Sequence, residues 1–90
     1  MRDLRTRVRA RIRAVGPTGS LLRNYLGEAR AIARSGGGSL WVIEPGLPQE
    51  RLPEFTADVV RFLRAHGIET GVVRVLAGTT SARVEVLPVR

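Results

Sequence analysis

From Leu4 to Val15 the chain alternates without a break. Arg5, Arg7, Arg9, Arg11 and Arg13 take the odd positions, and apolar or small residues take the even ones. In a strand, successive side chains point to opposite faces, so five guanidinium groups would line one face at intervals of roughly 6.6 Å. Leu4, Val8 and Ile12 would turn the other way, towards a core. A helix is the rival reading, because Leu4, Val8, Ile12 and Val15 also recur at helical spacing and Gly16-Pro17 is a good helix stop. The strict period of two, and the strand preference of Val, Thr and Ile, favour the strand.

The period then changes. Gly16-Pro17-Thr18-Gly19-Ser20 reads as a tight turn leading into a helix, with Thr18 or Ser20 as its N-cap. Leu22, Tyr25, Leu26, Ala29, Ile32 and Ala33 form one apolar stripe, leaving Arg23, Asn24, Glu28, Arg30 and Arg34 outside it; Gly36-Gly37-Gly38 ends the helix. Leu40-Trp41-Val42-Ile43 is a short apolar strand closed by Glu44-Pro45-Gly46, and a proline-bounded loop runs from Pro45 to Pro53. A second helix is predicted from about Pro53 to His66, with Phe55, Val59, Phe62 and Leu63 inward and Gly67 as its C-cap. Residues 71–77 and 82–89 read as two strands of a hairpin joined by Gly78-Thr79-Thr80-Ser81.

The resulting order, β-α-β-α-β-β, predicts an α+β two-layer sandwich: a four-stranded sheet with both helices on one face and the other face open. Ninety residues allow a single domain spanning 1–90 with a modest core. The open face would carry the five arginines of the first strand, Arg74, and Arg83 with Glu85 from the last strand. Trp41 has two readings: a core residue between Leu40 and Val42, or, if the register turns it outward, an aromatic among cations.

Charge sharpens the picture. The formal net charge is +7, and residues 1–34 carry nine arginines against Asp3 and Glu28, whereas residues 35–90 balance six arginines with six acids. All fifteen basic residues are arginine, whose planar fork matches phosphate and stacks on bases as lysine cannot. A concentrated basic field attracts nucleic acid, anionic lipid or an acidic protein. Arginine-favouring codon usage would account for the missing lysine but not for the lopsided distribution. There is no cysteine, hence no disulfide framework or thiolate site. No apolar run approaches the roughly 18 residues of a membrane span, and the arginine-rich start lacks the apolar stretch of a signal peptide. The expectation is a cytoplasmic protein without a membrane partner.

In topology, size and basicity, the chain resembles the small β-α-β-α-β-β nucleic-acid binders, which include the C-terminal domain of translation initiation factor 3 and Alba-like chromatin proteins. The local match is Asn24-Tyr25-Leu26 at the start of the first helix, as in the Alba-like proteins. The lysine pair those proteins carry before that helix is absent, and Gly16-Pro17-Thr18-Gly19 stands in its place. A second resemblance is to the C-terminal half of acetyl-coenzyme-A-dependent N-acetyltransferases. It rests on Arg13-Ala14-Val15-Gly16-Pro17-Thr18-Gly19-Ser20-Leu21-Leu22, in which the second glycine falls one position late. That resemblance implies a pyrophosphate cradle at a helix N-terminus, although the half of that fold which completes the acceptor site does not fit into ninety residues.

Catalytic constellations are sparse. His66 is the sole histidine, which excludes a multi-histidine metal site, and its place at a helix end suits a dipole partner better than a base. Glu50, Glu54 and Asp58 fall four apart, a spacing that usually marks a solvated helix face. The expectation is therefore a non-catalytic module that binds nucleic acid, RNA ahead of DNA, with no cofactor and no metal. Arg5, Arg7, Arg9, Arg11, Arg13 and Arg74 would contact phosphates, Gly16 and Gly19 would let backbone approach a phosphate, and Trp41 would stack on a base. The alternatives are a small basic nuclease of toxin type using Glu44, His66 and an arginine, a coenzyme-A-binding remnant, and a stable scaffold with no evolved ligand. A homodimer through the open sheet face is the alternative occupant of that surface.

Overall fold

The computed structural model describes residues 19–89. Over these the order is α1 (Gly19–Arg34), β1 (Gly38–Ile43), a 3-10 turn (Gln49–Arg51), α2 (Leu52–Ala65), β2 (Thr70–Val75) and β3 (Ser81–Val86). The described residues form an α+β fold in which two helices cover one face of a three-stranded antiparallel sheet of order β1-β3-β2. The expected first strand, residues 4–14, lies outside the described residues.

Both helices form on their apolar stripes. Leu21, Tyr25, Leu26, Ala29 and Ala33 of α1 are buried, with Leu22 and Ile32 packed at the margin. Leu52, Phe55, Val59 and Leu63 of α2 are buried, and Phe62 is marginal rather than inward. These stripes meet Leu40 and Val42 of β1 and Ala82, Val84 and Val86 of β3 in one cluster. Alternation is clean on β3, where every second residue is buried. Thr56 of α2 is enclosed as well, and its hydroxyl has no hydrogen-bond partner among the described residues.

Several boundaries differ from expectation. α1 starts at Gly19, so Ser20 lies within its first turn rather than at its N-cap, while Thr18 lies outside the described residues. The loop between Pro45 and Pro53 is not wholly irregular: Gln49–Arg51 makes a 3-10 turn that runs into α2, with Pro53 in the first turn, where its missing N–H costs nothing. The last strand stops at Val86, and one further bond, from the Leu87 N–H to the Glu69 carbonyl at 2.9 Å, continues the register with β2 beyond it.

Glycines close both helices. Gly67 adopts φ +85° beside the Ile68 N–H to Leu63 carbonyl bond of 3.0 Å. Gly37 adopts φ +90°, and a Cβ there would press on the Val86 carbonyl and Pro88, so this turn tolerates only glycine. No helix among the described residues is long and apolar enough to cross a membrane.

Candidate nucleic-acid interface

Among the described residues nothing covers the face of the sheet away from the helices, and register decides what stands on it. Trp41 of β1 pairs with Arg83 of β3, and Arg83 pairs in turn with Arg74 of β2. Leu40 and Val42, the neighbours of Trp41, and Ala82 and Val84, the neighbours of Arg83, are buried on the helix side, so alternation sends Trp41 and Arg83 outward. Trp41 is 45% exposed, which rules out the core reading of this residue. One aromatic and two guanidinium groups therefore make a straight row across three strands, spanning two strand spacings or about 10 Å.

Neither Arg83 nor Arg74 has an acidic partner among the described residues, where the ion pairs are Arg51 with Glu54 and Arg61 with Asp58. Like charges directly opposite one another on a sheet are unfavourable. The pair costs stability locally, and an anion laid across it would remove that cost. Glu85, on the same face of β3, makes no ion pair with either of them among the described residues. Its carboxylate accepts the Val72 N–H at 3.0 Å, at a point where the β2 ladder is irregular.

Of the site residues expected from sequence, Trp41 and Arg74 are brought together with Arg83, and Gly19 opens α1. Arg5, Arg7, Arg9, Arg11, Arg13 and Gly16 lie outside the described residues. The role of Glu85 is one that sequence reasoning misses. Its signal is Gly71, an isolated glycine at the head of a strand pattern, which marks a bulge or a close approach.

The residues considered for catalysis lie apart from this face in character. Glu44 is wholly buried, and its Oε2 accepts the Tyr25 hydroxyl at 2.6 Å. Tyr25 packs edge-on against Phe55, with ring centroids 6.3 Å apart. Burial raises the Tyr25 phenol well above its ordinary range, reinforced by the hydrogen bond to Glu44 and by the charges of Glu44 and Glu28. A substrate cannot reach a carboxylate so enclosed. His66 sits exposed at the end of α2, its Nδ1 2.9 Å from the Phe62 carbonyl and its ring 4.3 Å from that of Phe62, which is the helix-end role expected of it. Among the described residues, no three histidine or acidic side chains converge as a metal site would need. The acidic spacing runs from Glu50 in the 3-10 turn onto α2, where exposed Glu54 pairs with Arg51 and half-buried Asp58 pairs with Arg61.

No family model, no curated protein and no solved structure matches this chain.

Proposed function

We propose that this protein is a non-catalytic nucleic-acid-binding module, acting on RNA ahead of DNA in the cytoplasm. Its surface combines the arginine-rich segment 5–13 with the open sheet face. The observation that carries the reading is the row Trp41–Arg83–Arg74: an exposed aromatic beside two guanidinium groups that face each other with no acid between them. Phosphates suit the guanidiniums and bases suit the indole.

In this reading residues 4–14 form the fourth strand of a β-α-β-α-β-β sandwich of the kind seen in the initiation factor 3 and Alba-like modules. The outer edge of β1, unpaired among the described residues, is the position that would receive it. Arg5, Arg7, Arg9, Arg11 and Arg13 then extend the cationic surface and hold phosphates, which gives affinity with little sequence information.

The test is binding to short RNA by fluorescence anisotropy. Reversing Arg7, Arg9 and Arg11 to glutamate is expected to abolish binding, whereas reversing Arg61 and Arg64 on α2 costs far less. Equal losses from the two sets would mean diffuse charge and no site. RNA recovered after prolonged incubation is expected to be intact; cleavage that disappears in His66→Ala would overturn the non-catalytic reading.

A further inference from the structure

The row on the open face is built by a defect in the sheet. Thr70 pairs with Val86, but the next paired residue of β2 is Val73, opposite Val84, so Gly71 and Val72 together face Glu85 alone. In an unbroken ladder continuing from Thr70 and Val86, Val72 would stand opposite Val84 and Arg74 opposite Ala82, on the helix side. The extra residue turns Arg74 over and sets it beside Arg83 on the open side. The bulge is held by the Glu85 carboxylate, which takes the Val72 N–H left over by the ladder, and glycine at 71 leaves the room that this carboxylate occupies, since a Cβ there would displace it. The same bond engages Glu85, which makes no ion pair with either arginine among the described residues.

Resting on the nucleic-acid reading above, we infer that the Trp41–Arg83–Arg74 row is a platform for unpaired, single-stranded nucleic acid, with one base stacked on Trp41 and adjoining phosphates on Arg83 and Arg74. Glu85 and Gly71 act as positioning residues that aim Arg74. Stacking on an indole requires the free face of a base, and a duplex hides both faces of every internal base. Paired nucleic acid can offer this surface its phosphates but not the face of an internal base. Charge complementarity favours this occupant over a second copy of the chain, which would bring a second pair of unneutralised arginines against the first.

Trp41 is the only tryptophan, so its emission reports this platform directly. Oligouridylate is expected to quench it as anisotropy shows binding, while a blunt RNA duplex of equal length binds without quenching. Trp41→Ala is expected to weaken single-strand binding by roughly five- to a hundred-and-fiftyfold, the range of one base stack, and to leave duplex binding unchanged. Binding without quenching, or equal quenching by duplex or by heparin, overturns the platform and leaves the broader reading standing. An absence of binding to any nucleic acid overturns the broader reading itself. Emission that shifts with protein concentration alone assigns the face to a second copy and overturns the platform.

The latch has its own test. Glu85→Gln keeps the oxygen that accepts the Val72 N–H and is expected to retain or strengthen single-strand binding. Glu85→Ala frees that N–H, and is expected to lower affinity by the same factor as Arg74→Ala and to add nothing in the Arg74→Ala background. A simple gain of affinity in Glu85→Ala would show that Glu85 acts only as a repelling charge and would overturn its positioning role.

Discussion

At the scale of single residues, the most consequential group in the interior is the Tyr25–Glu44 pair. It ties α1 to the end of β1, and Phe55 packs against it from α2. A buried carboxylate deprived of a donor is costly, so Tyr25→Phe is expected to destabilise the fold by about 1–3 kcal/mol, measured by denaturant unfolding. The phenol also fixes the direction of the pH response. Its pKa is raised above the ordinary 10.0 in the folded chain, so the folded state holds the proton more tightly than the unfolded one. That contribution is complete below pH 10 and falls away as pH rises above it. Tyr25 is the only tyrosine, so tyrosinate absorbance is expected to appear only as the protein unfolds in alkali. Ionisation near its ordinary value with the fold intact would contradict the buried pair. None of this is legible in the sequence. Glu44 reads only as part of the Glu-Pro-Gly turn that closes a strand, and its bond to a partner nineteen positions away has no local signal. Trp41 is ambiguous for a related reason: Leu40, Val42 and Ile43 are apolar too, so strand alternation is masked just where it matters.

At the scale of elements, the legible part of the fold is whatever depends on local periodicity. The stripes of α1 and α2 and the glycine stops after each are properties of a few successive turns, and they form nearly as expected. The hairpin is also a local object. Gly78 takes φ +76°, and the Thr79 hydroxyl donates to the Leu76 carbonyl at 3.0 Å while its own oxygen accepts the Ser81 N–H at 3.1 Å. The facing of Arg74 is different, because it depends on how two strands count against each other across a bulge that composition alone does not place. Gly71→Ala tests that count without touching an arginine. The new methyl displaces the flexible end of Glu85, so the Val72 amide is expected to exchange with solvent markedly faster while the stability of the fold changes little. Unchanged protection of that amide would mean that the bulge does not depend on the Glu85 carboxylate.

At the scale of the whole molecule, charge can act as a field or as a site. The excess of positive charge falls in residues 1–34, while the remainder is balanced. A field of that kind draws any polyanion and speeds encounter without selecting what is held. The open face would add selection, because its two arginines stand in register with an aromatic whereas Arg61 on α2 is already occupied by Asp58. Salt separates the two contributions. Removing one arginine–phosphate pairing with a single strand makes the slope of log K against log salt shallower by about 0.7. Arg83→Ala and Arg74→Ala are each expected to reduce the slope for oligouridylate by one such step, while Arg61→Ala leaves it unchanged. With duplex as ligand, Trp41→Ala is expected to alter neither the slope nor the affinity, because only charge is then in play. If all three arginine variants lowered the slope alike, the sheet face would be no more than part of the general field, and the arrangement of Trp41, Arg83 and Arg74 would have no consequence for binding.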